Sequence, residues 1–221
     1  MVFYRRNLPH LFIRGYSFFV TIRLAGSLPV VKLNEIRLEF EEEKEKLEKN
    51  KKPAKEHDAA WKDLKRKYFL KYDGLLDKAK HGPKWLKDER IATIVWDSLK
   101  WGDTRRYHLI AFTIMPNHIH VVLKPIFNKK NGETELGEPA NGKDYFLTMI
   151  LESFKKYTAH EANKLLGREG AFWQHESYDH MARNKKELLR SVNYTLMNPV
   201  KAGLTQTPEE YKWNYVNWDY V

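Results

Sequence analysis

Two histidines separated by one residue, His118 and His120, have the types and the spacing to do chemistry. They begin a run, HIHVVLK, whose alternation and β-branched residues predict a strand. Side chains alternate across a strand, so both imidazoles would face the same side, where they could share a divalent ion. A pair of ordinary surface histidines fits the same spacing. A metal would also need a third ligand, which in a chain without cysteine must be a carboxylate, an amide or another histidine.

A tyrosine, Tyr157, lies on the next predicted helix, at about 144–166. A phenol has a pKa of about 10 and attacks only when its proton is removed and its target is polarised. Glu161 is one helical turn further, so the two side chains would share a face. If this helix packs on the sheet face that holds the histidines, Tyr157 would lie beside the metal and Glu161 would complete its ligands. Otherwise Tyr157 is a core or rim residue and Glu161 a solvated one.

The charge balance favours an acidic partner. Lys and Arg number 39 against 29 Asp and Glu, a net charge of +10, which is typical of proteins that bind nucleic acid or an anionic surface. Several residues around the candidate site could hold DNA phosphates, although each could equally belong to a solvated rim. The expected DNA contacts are Asn117, Lys155, Lys156, Arg168, Arg183 and Lys185.

Composition also excludes several classes of protein. The absence of cysteine removes disulfides, thiolate zinc sites and cysteine nucleophiles. No apolar run approaches the roughly 18–20 residues that span a bilayer, and the first ten residues lack the apolar stretch of a signal peptide. We therefore expect a cytoplasmic protein with no membrane partner. With 221 residues, of which 42% are hydrophobic, the chain can bury a core and is expected to form one domain over 1–221.

Periodicity along the chain predicts an α+β fold. The predicted order is strand, helices, hairpin, helix, strand, helix, which is a ferredoxin-like antiparallel sheet sandwich. Charged helices at about 32–100 would enlarge its first crossover, with turns at Asp73-Gly74 and Asn198-Pro199. The predicted elements are a strand at 15–24, helices at 32–52, 54–71 and 88–100, a hairpin at 105–124, a loop at 128–143, the tyrosine helix at 144–166, a short strand within 173–183 and a helix at 185–197.

Several motifs now show a resemblance to a known family. The segment TIMPNHIHV, Thr113–Val121, resembles the histidine–hydrophobe–histidine motif of single-tyrosine transposases. Other motifs, in the same order, are similar to the branch called REP-associated tyrosine transposases, which act at repetitive extragenic palindromes. These motifs are FVTIRLAGSLP (19–29), KYTA (156–159), FWQ (172–174), ESYDH (176–180) and NPVKAGL (198–204). The similarity covers roughly residues 15–30 and 85–205.

The resemblance implies a ferredoxin-like fold that cleaves and rejoins single-stranded hairpin DNA with a divalent metal, Mg²⁺ or Mn²⁺. By the family's pattern, Tyr157 is the nucleophile that forms a 5′-phosphotyrosine, and His118 and His120 are metal ligands. The third ligand in related transposases is a polar residue one turn after the tyrosine. Glu161 occupies that position here, where members of the wider superfamily have Gln. The resemblance also favours a monomer over a dimer that exchanges tyrosine helices, and a location in the cytoplasm at the nucleoid.

Two other functions remain open at this stage. A non-catalytic module that binds single-stranded DNA or RNA could use the same fold, its basic edges and its aromatic residues. A metal-dependent hydrolase, in which water attacks, would form no covalent adduct. Pure binding requires neither Tyr157 nor the histidine pair, so these three residues favour the strand-transfer enzyme. The charged helix at 32–52 has no assigned role.

Overall fold

The structure is a computed structural model that describes residues 15–50, 53–78, 80–126, 129–130, 133–134 and 146–221. Most of the predicted loop at 128–143 lies outside these residues. The elements are β1 (Ser17–Arg23), α1 (Val30–Lys49), α2 (Ala54–Asp77), α3 (Glu89–Gly102), β2 (Tyr107–Ile114), β3 (His118–Pro125), β4 (Lys129–Lys130), β5 (Glu133–Thr134), α4 (Phe146–Leu166), β6 (Tyr178–Ala182), α5 (Lys185–Lys201) and β7 (Asn214–Val216). Within the described ranges, no helix combines the length and apolar character that a bilayer span needs.

Five strands form an antiparallel sheet in the order β6-β1-β3-β2-β7. The first four strands of this order, β6-β1-β3-β2, have the ferredoxin-like arrangement, and β7 adds a fifth strand against β2. The two-residue strands β4 and β5 pair separately. The predicted α+β, ferredoxin-like class is therefore confirmed, with α1 and α2 inserted in the first crossover ahead of α3.

One face of the sheet is covered by α3 and α4. Alternate residues of β3, Ile119, Val121 and Leu123, are buried against it together with Val95 of α3 and Phe154 of α4. These two helices belong to the two crossovers of the ferredoxin-like unit. Connections between parallel strands are almost always right-handed, and this places both crossover helices on the same face.

The opposite face is covered by α2 and α5. Val122 of β3 and Phe19 of β1 pack there against Phe69 of α2 and Val192 of α5. Val122 is two and four positions from the two histidines, so the imidazoles project from this second face. The helices of the charged insertion therefore lie over the candidate site, with α1 packed on α2 through Ile36, Phe40, Leu64 and Tyr68.

Two predicted helix ends were wrong. The second helix does not stop at Asp73-Gly74 but continues to Asp77, because Tyr72 and Leu76 are buried on the same helical stripe. Their packing outweighs the cost of about 1 kcal/mol for a glycine inside a helix. The last helix runs through Asn198-Pro199 to Lys201, and both of those residues are buried. Its predicted start was right, since Asn184 accepts from the backbone N–H of Glu187 at 2.9 Å.

Removal of a large core side chain should show that the α3–α4 layer provides much of the stability. Phe112 is fully buried, with its ring 4.8 Å from that of Trp96 and 5.2 Å from that of Tyr215. Phe112→Ala should lower the free energy of unfolding by about 3–5 kcal/mol in urea denaturation. Leu38→Ala, at a residue that is 64% exposed, is the control and should change it by less than about 0.5 kcal/mol. Equal effects would contradict this account of the core.

Candidate functional site

His118 and His120 lie at the centre of the sheet, on its second face. In the antiparallel ladder His118 is opposite Arg23, and His120 is opposite Thr21. Both imidazoles are fully buried, and their Nε2 atoms are 3.2 Å apart. Neighbouring ligands of an octahedral ion with bonds of about 2.1 Å are about 3 Å apart. The spacing of the two nitrogens therefore fits two ligands of one ion.

Asn117 orients the first imidazole. Its Nδ2 donates to the backbone carbonyl of Leu76 in α2 at 3.1 Å, so its Oδ1 faces the Nδ1 of His118 at 2.7 Å. Because Oδ1 only accepts, Nδ1 of His118 donates the proton and Nε2 keeps its lone pair. That lone pair points at the other imidazole and needs a proton from His120 or a cation between them. The Nδ1 of His120 is in turn 2.9 Å from the hydroxyl of Thr21.

Asp73 of α2 supplies a carboxylate to the same place. Its Oδ2 is 3.4 Å from Nε2 of His120, and the side chain is fully buried. Among the described residues, Asp73, His118 and His120 form a group whose ligand atoms lie within 4.8 Å of one another and could hold a metal ion. One carboxylate and two imidazoles are a donor set that suits Mn²⁺ and accepts Mg²⁺.

Several buried polar atoms around this group have no hydrogen bond of regular geometry. They are Oδ1 of Asp73, Oδ1 of Asp77, and both amide atoms of Asn198. Such atoms are rare in folded proteins because an unpaired buried polar group costs about 1–3 kcal/mol. Three such oxygens beside two imidazoles form a donor set that a cation would satisfy. The residues therefore fit a divalent ion.

Charge and burial shift the pKa values of these groups. Burial lowers the pKa of His118 to about 3, with a further contribution from His120, so this imidazole is neutral and can act as a ligand. Burial raises the pKa of Asp77 to about 6, and the nearby Asp73 adds to the rise. Burial also acts to raise the pKa of Asp73, but His120 and the neighbouring groups outweigh it, and the pKa is lowered. Asp73 is therefore the ionised carboxylate of the site.

Tyr194 of α5 completes the cluster. Its hydroxyl donates to Oδ2 of Asp73, and its ring lies edge-on to His120 with the centroids 5.6 Å apart. Burial and then Asp73 raise the pKa of Tyr194 far above its usual value, so the phenol is protonated in this arrangement. Asn198 is four residues further along the same helix and is fully buried. Its amide influences the pKa of both His118 and Asp77, so it too lies at the site.

Tyr157 and Glu161 are not part of this cluster. Their helix, α4, packs through Ile150, Phe154 and Ala162 on the sheet face opposite the histidines. The condition under which Tyr157 would lie beside the metal, that α4 covers the histidine face, is therefore not met. Tyr157 is 56% exposed. Glu161 is 3.8 Å from His160 on its own helix and contributes nothing to the group formed by Asp73 and the two histidines.

The predicted DNA contacts have different environments. Asn117 is fully buried and positions His118, so it was wrong to expect it at a DNA surface. Lys155 donates to the carbonyls of Gln174 and His175, at 3.0 and 2.9 Å, and is used inside the fold. Lys156, Arg183 and Lys185 are exposed, whereas Arg168 stacks on Trp85 at 4.2 Å and bonds Asn163. For these last four residues, contact with DNA stays a prediction.

Four residues of the site were missed from sequence: Asp73, Asp77, Tyr194 and Asn198. For Asp77 the sequence offered no signal. A signal for each of the other three was present. Asp73 continues the apolar stripe of Phe69 and Leu76, but Asp-Gly was interpreted as a turn. Tyr194 precedes Asn198 by four residues, which is the same tyrosine-to-polar spacing that was applied to Tyr157. Tyr194 and Asn198 lie on α5, which follows β6, the last strand of the ferredoxin-like unit. This helix can therefore cover the histidine face.

Comparisons with known proteins agree with the motifs. No protein-family model matches the chain. A curated relative from Haemophilus influenzae, whose name assigns it provisionally to the REP-associated tyrosine transposases, is 24% identical over 113 residues. The match covers 51% of this chain and 61% of the relative, so it spans less than two thirds of the relative's length. The resemblance to this family is thereby confirmed.

A solved structure is described as a REP-associated tyrosine transposase bound to a REP hairpin. It superposes on 97% of this chain and 82% of its own chain with a TM-score of 0.49 and 15% sequence identity.

Metal binding should depend on Asp73 and not on Glu161. Asp73→Ala removes one of three converging ligands and should weaken Mn²⁺ binding at least about 10-fold. Glu161→Ala is the matched control and should leave the affinity unchanged, because Glu161 lies on the other side of the sheet. The measurement is the electron paramagnetic resonance signal of free Mn²⁺ during a titration, which needs no DNA. Loss of binding in the Glu161 variant alone would refute this assignment.

Proposed function

We propose that this protein is a strand-transfer enzyme that cleaves and rejoins single-stranded hairpin DNA, with Tyr194 as its nucleophile. The observation that supports this most directly is the hydroxyl of Tyr194 bonded to Asp73 within the group of Asp73, His118 and His120. A tyrosine beside two imidazoles and a carboxylate is the arrangement that a phosphotyrosine mechanism needs. Tyr194 therefore takes the role that sequence reasoning gave to Tyr157.

In the proposed reaction, Oη of Tyr194 attacks the phosphorus of a DNA phosphodiester in line. The bond from phosphorus to the 3′ oxygen breaks, leaving a 5′-phosphotyrosine and a free 3′-OH. Asp73 orients the nucleophile and takes its proton, since its Oδ2 already accepts a hydrogen bond from the phenol, and a proton returns to the departing 3′ oxygen. The adduct conserves the energy of the phosphodiester, so a 3′-OH can reverse the step and join strands without ATP.

His118, His120 and Asp73 would hold the divalent ion, Mg²⁺ or Mn²⁺. When bound, that ion supplies charge stabilisation for the phosphoryl group and polarises a non-bridging oxygen. Asn117 keeps the lone pair of His118 Nε2 directed into the site, and Thr21 contacts the far side of His120. Asn198, whose amide acts on both His118 and Asp77, would be a further ligand through its amide oxygen.

Hairpin DNA is the proposed substrate because of charge and similarity. The net charge of +10 suits a polyanion, and a structural neighbour is described as bound to a REP hairpin. The site draws Asp73, His118, His120 and Tyr194 from one chain, which supports a monomer as the active unit. A non-catalytic binding module and a hydrolase that uses water are the outcomes that the following test would separate.

The test is a covalent-adduct assay with matched tyrosine variants. The protein is mixed with Mn²⁺ and labelled hairpin oligonucleotides from palindromes that flank its gene, and denatured products are resolved on a gel. Wild type and Tyr157→Phe should both form a labelled protein band. Tyr194→Phe should form none but bind the hairpin with nearly wild-type affinity, because only the nucleophilic oxygen is lost.

Three other results would contradict the proposal. An adduct in Tyr194→Phe that is missing in Tyr157→Phe would return the role of nucleophile to Tyr157. Cleavage by wild type without any adduct would indicate attack by water. Tight, salt-sensitive binding of the hairpin with neither cleavage nor adduct would indicate a binding module.

We infer that α2 moves when the site opens. The two imidazoles are fully buried, as is Asp73 of α2, and the backbone carbonyl of Leu76 in the same helix accepts a hydrogen bond from Asn117 beside His118. A DNA phosphate that reaches the histidines would therefore displace α2.

Hydrogen exchange should detect this movement. On addition of hairpin DNA, backbone amides of α2 should exchange faster, whereas those of α3, which is packed in the opposite layer, should not change. Mass spectrometry of peptides from both helices gives the comparison within one sample. Slower exchange throughout α2 would show that DNA binds to the closed arrangement.

A further inference from the structure

Arg23 is a buried cation beside the proposed site. It is the last residue of β1 and lies directly opposite His118 in the ladder, so its side chain projects from the histidine face. Only 7% of its surface is exposed. Its position follows from the alternation of β1, in which Phe19 and Thr21 share that face.

The guanidinium has few partners for a group so deeply buried. Its Nη1 donates to the hydroxyl of Ser27 at 3.3 Å, its Cζ lies 6.0 Å from the centre of the Tyr72 ring, and it also hydrogen-bonds the Tyr72 side chain, so its known partners are all neutral. Among the residues that the structure describes, Arg23 forms no ion pair with a carboxylate. Removing a charge from water without a paired counter-ion is expensive, and buried arginines normally have such a partner.

A second cation lies nearby and increases the local positive charge. Lys155 of α4 reaches the edge of the sheet where Gln174 bonds to the backbone of Arg23. Burial and then the charge of Arg23 lower the pKa of Lys155 to about 8. Arg23 and Lys155 repel each other at the end of β1, while Glu152 and Glu176 act on Lys155 in the opposite sense. An anion bound at Arg23 would relieve the repulsion.

We propose that Arg23 binds a phosphate of the DNA strand on the His118 side of the site and so positions the strand for Tyr194. This inference rests on the proposed function. A guanidinium presents several N–H donors in a plane that matches two oxygens of one phosphate. Tyr72 of α2 lies next to the guanidinium, so the movement of α2 that exposes the histidines also exposes Arg23. Arg23 is thus a positioning residue that contacts the substrate.

The test removes one charge from the protein and one from the DNA. The probe is a hairpin oligonucleotide with single-stranded flanks, from the palindromes beside the gene, carrying a neutral methylphosphonate at one flank linkage at a time. Binding is measured in the Tyr194→Phe background, where no cleavage occurs. Arg23→Gln is compared with Arg105→Gln, an exposed arginine at the other end of the sheet.

With Arg23 intact, one methylphosphonate position should weaken binding about 10-fold or more. In Arg23→Gln the same substitution should have almost no further effect, because the contact is already lost. Arg23→Gln should also reduce the salt slope of log Kd by about 0.7, the value for one phosphate of a single strand. Arg105→Gln should leave the response to that methylphosphonate unchanged. Arg23→Lys keeps the charge and should retain the salt slope of log Kd. Thermal melting would show whether Arg23→Gln is unstable, and in that case the Lys variant still tests the role of the charge.

Additive effects of the two substitutions at every linkage would overturn the role of Arg23. So would an unchanged salt slope in Arg23→Gln. The binding assay does not depend on cleavage, so the two proposals can fail separately. Coupling at one linkage without a covalent adduct in wild type would support Arg23 and refute the enzyme, whereas an adduct without coupling would refute Arg23 alone.

Discussion

The alternation of side chains along β3 is the constraint on which the rest of the structure depends. Ile119, Val121 and Leu123 are buried in one layer, so His118 and His120 must project from the other face. A shift of one residue in the pairing of β3 would bury the imidazoles in the apolar layer. The large core that α3 and α4 build therefore also aligns the two candidate ligands on the opposite face.

The histidine face, covered by α2 and α5, differs from the apolar α3–α4 layer because it buries a group of polar side chains. Asp73, Asp77, Tyr194 and Asn198 come from two helices and surround the imidazoles, with several of their atoms unbonded. Unpaired buried polar groups are costly, so this layer is less stable than the other unless a cation or substrate satisfies it. Low local stability is what a site needs if its cover, α2, is to move when DNA binds.

Chain topology determines which tyrosine can reach the histidines. The crossovers from β1 to β2 and from β3 to β6 have the same handedness, which places α3 and α4 together. The connection from β6 to β7 runs from edge to edge in the opposite sense, so right-handedness places α5 on the other face. Tyr157 is therefore separated from the histidines by the sheet, although its sequence context resembles a tyrosine motif.

The sequence alone determined the α+β class, the ferredoxin-like order, the shared face of His118 and His120 and the similarity to a transposase family. These properties depend on local periodicity and on short motifs, which can be recognised in the sequence without the tertiary structure. Only the tertiary structure decided that Asp73, Tyr194 and Asn198 join the histidines, and that Tyr157 and Glu161 do not. Whether these residues lie close together depends on which face of the sheet each helix covers and on the packing that extends α2 beyond Gly74. Both are long-range effects, which no local sequence pattern encodes.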